Sequence, residues 1–382
     1  MDFQALSEQV ISEVQIPVGF PLSPEILIDK IYGTIFGNAI GDALGLRTEF
    51  LTSSEAKRLW ADNNWTLIWP YTDRPFPIGD WTDDTDQMIL ILMSYLEENT
   101  FNPTTFAKKL IYWKNHGFPE LGDSMGLGIG QTVFSVLNCR NFINNPFEAA
   151  SLIWSGSCDL AANGALMRTS ILGIINYTNL TQVIKQTLDI ATTTHADPRC
   201  VASCVALTTT ISLMLQGVSD TRAAEAGFNI SQVLLTKYTE QLESYFNEKY
   251  SEKQKAIFTK KKKCFDVNHL KRYTDGNFAH VMPLDQNDMG YTYKCLGCAF
   301  WALTKDDWIQ AIGEIILKGG DADTNAAVAG SLIGCKVGFS HLPMNLFNQL
   351  LYKDWLLAKV QELLERMGLA SSIKDESKVD SS

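Results

Sequence analysis

Two acidic segments carry the residue types that hold divalent cations, and each lies directly before an apolar stretch. The first is Thr-Asp-Asp at 82–84, followed by the apolar residues 89–96. The second is Asp-Ala-Asp-Thr at 321–324, followed by 326–337. Mg²⁺ prefers oxygen ligands in a near-octahedral set, and four carboxylates balance the charge of two such ions. Together the segments predict a site for two metal ions.

Each segment also has a purely structural interpretation. Thr82 is a good helix N-cap, and Asp83 and Asp84 would then lie in the first turn, where the helix dipole favours carboxylates. An acidic pair before an apolar helix occurs twice, and this repetition favours a metal site. Without a metal, the carboxylates would repel one another and be costly to bury. Zinc is less favoured than magnesium, because neither segment has a neighbouring His or Cys.

The elements that must position these segments are helices. Ser23 and Pro24 predict a helix start, and Gly33, Gly37 and Gly41 fall on one face of that helix. Three glycines on one face indicate that another backbone packs very close. Apolar residues recur at helical spacing in the segments 104–115, 164–175, 181–190, 201–215, 232–245, 293–303, 308–317, 324–337 and 355–367. No set of alternating strands is visible, so we predict an all-α fold.

The predicted domain organisation is simple. Residues 1–22 read as a flexible leader, and residues 23–370 as one compact helical domain. Within the domain, the polar stretch at about 247–287 reads as a surface insertion. The polar residues 371–382 read as a disordered tail. No fixed-period repeat indicates a solenoid.

Composition limits the partners and the compartment. The formal net charge of -11 argues against nucleic acid as the main partner, because phosphate binding needs clustered Lys and Arg. The N-terminus lacks the pattern of a signal peptide, and no apolar run reaches the ~18 residues that span a bilayer. The eight cysteines form no disulfide framework and read as reduced thiols. We therefore expect a cytoplasmic or nuclear monomer that does not bind a membrane.

Six motifs in a fixed order resemble the ADP-ribosylglycohydrolases, including the dinitrogenase reductase-activating glycohydrolase type. The resemblance extends from about 31 to 338, most of the chain. The motifs are Gly-Asp-Ala-Leu-Gly at 41–45, Thr-Asp-Asp-Thr at 82–85, Asn-Gly-Ala-Leu-Met-Arg at 163–168, Thr-His-Ala-Asp-Pro at 194–198, Met-Gly-Tyr at 289–291 and Gly-Gly-Asp-Ala-Asp-Thr-Asn at 319–325. The resemblance implies a single orthogonal helical bundle with a binuclear metal cleft that holds Mg²⁺ or Mn²⁺.

The resemblance also implies roles for individual residues, by motif match. The implied metal ligands are Thr82, Asp83, Asp84, Asp321, Asp323 and Thr324. The implied catalytic carboxylates are Glu49, Asp83 and Asp323, and the implied substrate-binding residues are Asn163, Gly164, His195, Gly290 and Tyr291. One residue departs from the family pattern: Ala162 stands where the family often has glycine, which affects the expected contact with the diphosphate.

The implied activity is hydrolysis of the bond between ADP-ribose and an acceptor, with an ADP-ribosylated protein or an ADP-ribose-containing small molecule as substrate. Two metals would hold the ribose and activate water, and Asp323 or Glu49 would accept the proton. The motif variants favour an arginine-linked acceptor. Serine or other O-linked ADP-ribose and O-acetyl-ADP-ribose are alternatives. An inactive structural or ADP-ribose-binding relative, or a two-metal phosphatase, are further alternatives.

Overall fold

The computed structural model describes residues 1–62, 64–68 and 75–369. Within these ranges the chain forms helices and no β-strand, apart from one isolated antiparallel bridge between Ala162 and Tyr291. The all-α prediction is confirmed. The α-helices of the described residues are α1 Phe3–Ser12, α2 Pro24–Gly45, α3 Ser53–Leu59, α4 Asp83–Glu98, α5 Pro103–His116, α6 Gln131–Leu137, α7 Pro146–Ser155, α8 Leu180–Ala191, α9 Pro198–Leu215, α10 Asp220–Lys249, α11 Glu252–Lys261, α12 Val267–Tyr273, α13 Thr292–Leu303, α14 Trp308–Ile316, α15 Ala322–Val337, α16 Met344–Phe347 and α17 Lys353–Arg366.

The most extensive helix pair is α2 with α15, and glycine makes this pairing possible. A Cβ added to Gly37 would lie 2.2 Å from the carbonyl oxygen of Gly330, and the reverse substitution would meet Gly37 at the same distance. A Cβ on Gly41 would lie 2.3 Å from the carbonyl oxygen of Ala326. The predicted close approach of a second backbone is therefore confirmed, and α15 is the helix that makes it.

The core is centred on α9. Every residue of Pro198–Leu215 is buried, and the helix packs against α8, α10 and α13. By length and composition this helix is apolar enough to cross a membrane, but the whole helix is buried inside the protein. Core helices of globular proteins pass the same test, because a helix that is apolar on all sides must be covered by others.

Residues 3–12 differ from the expected flexible leader. They form α1, which Asp2 caps through a hydrogen bond from the backbone N–H of Ala5. Leu6 and Val10 are fully buried, and the helix packs against α8 and α10. The prediction is wrong for these residues because their apolar side chains recur at helical spacing and have a docking face on the domain.

Residues 164–175 also differ from the prediction of one helix. They form two short 3₁₀ helices, Asn163–Arg168 and Ser170–Gly173. Residues 165–175 are all buried, so packing acts on every face. Apolar spacing alone does not separate successive 3₁₀ turns from an α-helix when no face is exposed.

The polar stretch 247–287 is largely helical. It includes the end of α10 together with α11 and α12, and α12 packs against α10 and α13. Phe258 and Leu270 from this stretch are buried, so it contributes to the hydrophobic core as well as to the surface. The tail predicted at 371–382 lies outside the described residues.

Candidate metal and substrate site

The first half of the site is the start of α4. Thr82 is the N-cap, as the sequence predicts, and its hydroxyl accepts a hydrogen bond from the backbone N–H of Asp84. Asp83 and Asp84 lie in the first turn and are buried. Asp83 is held by Gln87, one helical turn later, whose Nε2 donates to Asp83 Oδ2 over 2.8 Å.

Asp42 of α2 fixes this helix start from below. Its carboxylate accepts hydrogen bonds from the backbone N–H groups of Thr82 and Thr85 at 3.0–3.1 Å. It also accepts from the Thr85 hydroxyl at 2.6 Å, and the Thr82 hydroxyl lies 2.9 Å from its Oδ1. Asp42 is fully buried, so these donors replace the water that a carboxylate normally requires.

The second half of the site is the start of α15. Gly319 and Gly320 precede it with φ values of 67° and 68°, in the left-handed region that favours glycine. A Cβ on Gly320 would lie 2.0 Å from the carbonyl oxygen of Leu284, so the turn also has no room for a side chain. Asp321 is the N-cap residue but its side chain makes no capping bond. Instead Asn163 donates to Asp321 Oδ2 over 2.7 Å.

The two halves meet. The Thr324 hydroxyl lies 3.3 Å from Asp84 Oδ2, a contact between the two helix starts. Carboxylate oxygens of Asp42, Asp84 and Asp323 lie within 4.8 Å of one another. Those of Glu49, Asp321 and Asp323 form a second such group with Asp323 in common. The sequence prediction that both acidic segments face one another is therefore supported by geometry.

The electrostatics of this cluster fit a divalent cation. Desolvation, followed by repulsion from neighbouring carboxylates, raises the pKa of Asp83, Asp84 and Asp323 well above the usual range. Burial raises the pKa of Asp42 to about 6, against the effect of its hydrogen bonds. Asp84 Oδ1 and Asp323 Oδ1 are buried without a hydrogen-bond partner among the described residues. Buried oxygens of this kind need a cation or a proton, and hard cations take oxygen ligands.

One cavity opens at this cluster, and a second cavity adjoins it. The first, of about 250 Å³, is lined by residues that the sequence predicts for the site and by others from the loop before α6. The predicted residues that line it are Glu49, Asp83, Asp84, Asn163, Gly164, His195, Asp321, Asp323 and Thr324. The second, of about 550 Å³, adjoins the first at Thr132 and Ala162 and is lined by Gly290, Tyr291, Arg199 and His269.

The backbone joins the walls of the two cavities. Asn163 N–H donates to the carbonyl of Gly290 over 3.0 Å, and Thr292 N–H donates to the carbonyl of Ala161 over 2.9 Å. A Cβ on Gly290 would lie 3.5 Å from Asp321 Oδ2, so this glycine is next to the acidic cluster. Ala162 has φ -75° and ψ 153°, extended backbone that any residue adopts, so alanine fits where the family often has glycine.

Sequence reasoning did not assign several residues of this site. Asp42 lies inside a motif that carried the resemblance, but its role depends on how α2 packs under α4. Gly128 and Gly130 of the loop before α6, together with Thr132 of α6, line the first cavity. A Cβ on Gly128, whose φ is 84°, would lie 2.7 Å from Asp83 Oδ1. The repeated glycines at 126, 128 and 130 were the available signal for a backbone that closely approaches another group.

The chain is similar to known proteins along most of its length. The family model of the ADP-ribosylglycohydrolases matches residues 23–373. The chain is 25% identical over 339 residues to ADP-ribosylarginine hydrolase Tri1 of Serratia proteamaculans, covering 88% of this chain and 76% of that protein. It is 21% identical to the ADP-ribosyl-[dinitrogen reductase] glycohydrolase of Rhodospirillum rubrum, covering 84% and 90%.

A solved structure gives the same result for the fold. A chain from an ADP-ribosylglycohydrolase-related protein complex superposes with a TM-score of 0.58 at 21% identity, covering 91% of this chain and 99% of that one. The family match spans most of the chain, and every motif of the acidic cluster falls within it. The chain therefore belongs to the ADP-ribosylglycohydrolases, a family of hydrolases that release ADP-ribose from its acceptors.

Proposed function

We propose that this chain hydrolyses the glycosidic bond between ADP-ribose and an arginine side chain of a modified protein. The observation that carries the proposal is the acidic cluster, most of whose carboxylates line a cavity, in a chain of this family. The name of the Serratia proteamaculans relative, an ADP-ribosylarginine hydrolase, supports arginine as the acceptor.

The acidic surroundings also support a cationic acceptor. Glu49 and Phe50 line the first cavity, and the Phe50 side chain is 65% exposed, so this wall reaches the surface. An arginine linked to ADP-ribose carries a guanidinium group, and carboxylates nearby stabilise such a charge. A serine linkage or an acetyl group gains no such attraction.

The residues that would hold two Mg²⁺ ions, or Mn²⁺ in their place, are those of the two helix starts. They are Thr82, Asp83, Asp84, Asp321, Asp323 and Thr324. Mg²⁺ in such a site supplies Lewis-acid activation of water and a fixed position for the ribose hydroxyls. The unpartnered oxygens of Asp84 and Asp323 support this assignment, because oxygen is the ligand that both cations prefer.

The carboxylate side chains of the site would stabilise the charge that develops on the ribose and accept a proton from water. Cleavage develops positive charge at the anomeric carbon of the ribose, and carboxylates beside that carbon stabilise it. We propose Asp323 or Glu49 as the acceptor of the proton that the attacking water loses. Both carboxylates lie in the same group as Asp321. Asn163 holds Asp321 in position for this chemistry through its 2.7 Å hydrogen bond.

The rest of the ligand would extend into the second cavity. The first cavity, at about 250 Å³, is smaller than the ~300–1,000 Å³ of typical small-molecule sites, so ADP-ribose needs more room. The second adds about 550 Å³ and contains the aromatic side chain of Tyr291. We propose that the diphosphate passes between Gly164 and residues 130–132 at the start of α6, where the first cavity adjoins the second.

A panel of linkages tests the proposal. The purified chain is incubated with arginine-linked, serine-linked and O-acetyl-ADP-ribose, with Mg²⁺ and with EDTA, and free ADP-ribose is measured. We expect rapid release from the arginine linkage with Mg²⁺ and none with EDTA. Release from the serine or acetyl linkage alone would contradict the acceptor. Binding of ADP-ribose without release from any linkage would identify a non-catalytic relative.

A further inference from the structure

Arg168 is a fully buried guanidinium with neutral hydrogen-bond partners. Its Nη1 donates to Gln87 Oε1 over 2.8 Å, and its Nη2 donates to Thr194 Oγ1 over 2.7 Å. Weaker bonds of 3.3 Å reach the carbonyl of Ile190 and the hydroxyl of Thr193. Burial lowers its pKa to about 10, so the group stays charged at neutral pH. Burying such a charge is costly, and the geometry around it is correspondingly fixed.

The guanidinium determines how Gln87 is oriented. A guanidinium only donates, so the carbonyl oxygen of the Gln87 amide must face Arg168. The amide nitrogen then faces Asp83, to which it donates over 2.8 Å. Gln87 therefore connects Nη1 of Arg168 to the acidic cluster, while Nη2 donates to Thr194.

Thr194 passes this constraint to His195. The Thr194 hydroxyl oxygen accepts from Arg168, and it lies 2.8 Å from His195 Nδ1. Its own proton cannot go to the guanidinium, and His195 Nδ1 is the acceptor that the described residues offer. A hydroxyl that donates to Nδ1 leaves the imidazole proton on Nε2. The imidazole is neutral, because burial and then Arg168 lower its pKa to about 3.

The other ring nitrogen lies close to Gly164, which lines the first cavity. His195 lines that cavity, and a Cβ on Gly164 would lie 3.3 Å from His195 Nε2. His195 is 1% exposed, and Nε2 has no hydrogen-bond partner among the described residues. A buried N–H without an acceptor is unfavourable, and a ligand oxygen in the cavity would satisfy it.

We propose that Arg168 is a positioning residue that acts through Thr194 to hold His195 as the Nε2–H tautomer, so that this N–H donates to an acceptor oxygen of the bound ADP-ribose. The tautomer part stands independently, whereas the ligand part rests on the proposed function. With the tautomer fixed, His195 Nε2 donates and does not accept, so it selects a ligand atom that has a lone pair.

The tautomer can be measured without any turnover. In protein labelled with ¹⁵N at its five histidines, the ring-nitrogen shifts separate an N–H from an unprotonated nitrogen. His195→Gln identifies the His195 signals by their loss. We expect Nε2–H in the free protein, and a shift of Nε2 when ADP-ribose is added. The Nδ1–H tautomer in the free protein would overturn the proposal.

Thr194→Val tests the connection, because it removes the hydroxyl and keeps the shape. We expect loss of the fixed tautomer and about a tenfold weaker Kd for ADP-ribose, the effect of one neutral hydrogen bond. Thr194→Ser should restore both. The matched control is Thr193→Val, whose hydroxyl also accepts from Arg168 but donates to the carbonyl of Ile190. It should leave the tautomer and the Kd unchanged.

Other outcomes separate the two parts. If Thr194→Val retains the Nε2–H tautomer and the wild-type Kd, the connection through Thr194 is wrong. If the wild-type protein has the Nε2–H tautomer but does not bind ADP-ribose, the ligand part fails along with the proposed function, and the tautomer part stands.

Discussion

The two helix starts that form the acidic cluster have similar sequences and are held in different ways. At the start of α4, side-chain hydrogen bonds hold the acidic residues: Asp42 accepts from Thr82 and Thr85, and Gln87 donates to Asp83. At the start of α15, the backbone positions the acidic residues, through the left-handed glycine turn before Asp321 and the close packing of α15 on α2.

This difference separates two kinds of sensitivity. A buried hydrogen-bond network orients individual oxygens, so damage to it should change cation affinity more than folding. Backbone packing without side chains positions a whole helix, so damage to it should change folding first. The acidic cluster therefore has a chemical support, the hydrogen bonds of Asp42 and Gln87 at the start of α4. It also has a steric support, the glycine turn and backbone packing at the start of α15.

The largest effect is expected at Asp323, whose carboxylate belongs to both groups of the acidic cluster. Asp323→Asn removes a carboxylate common to both carboxylate groups. We expect ADP-ribose release to fall about 10³-fold or more, because metal-assisted activation contributes several kcal/mol. The rate of release at saturating Mg²⁺ measures this. Glu97→Gln, at the far end of α4, is the control, and equal rates for the two variants would contradict the assignment.

Breaking the steric support should affect folding. Gly330→Ala places a methyl group 2.2 Å from the carbonyl oxygen of Gly37, so α2 and α15 must separate. We expect a loss of about 3 kcal/mol in the free energy of unfolding, at the upper end for overpacking. Denaturant unfolding measures it. Gly156→Ala is the control, since its nearest contact is an ordinary 3.5 Å, and it should change stability little.

Breaking the chemical support should affect the cations. Asp42→Asn turns an amide N–H toward donors at Thr82 and Thr85, so at least one buried donor loses its acceptor. We expect Mg²⁺ affinity to weaken about 10–100-fold, as for other groups that orient metal ligands. Calorimetric titration with Mg²⁺ measures it. Asp189→Asn, whose carboxylate pairs with Lys185 away from the site, should bind as the wild type does.

The pH dependence of stability sharpens the comparison with a smaller effect. The folded-state pKa of Asp42 is raised to about 6, and those of Asp83, Asp84 and Asp323 are raised well above the ~3.9 of an unfolded chain. The folded state then binds more protons than the unfolded state, so stability in EDTA should fall as pH rises.

The window for this measurement is about pH 6.5 to 8. Asp80, whose pKa burial raises to about 7, also titrates there, so only the part of the slope that Mg²⁺ removes is assigned to the cluster. Buried neutral His195 contributes in the opposite direction only below the ~6.5 of an unfolded histidine. Unfolding in EDTA should become easier across this window, and Mg²⁺ should reduce the trend because it keeps the carboxylates of the cluster ionised. The same slope with and without Mg²⁺ would show that the cluster does not bind the cation.

Sequence reasoning succeeded where the signal is local. Thr82 caps α4 as predicted, because the residues around it determine where the helix begins. It failed where the role depends on packing between distant segments. Asp42 is an acceptor only because α2 lies beneath α4, and α1 is ordered only because α8 and α10 offer it a face.

The central claim is that the two helix starts together bind two divalent cations. It is tested most directly by calorimetric titration of the metal-free protein with Mg²⁺ in buffers of different ionisation enthalpy. We expect two ions per chain, with protons released because the carboxylates have raised pKa values. The Asp84→Asn, Asp323→Asn double variant should bind none. Absence of binding by the wild type, or equal binding by the double variant, would contradict the claim.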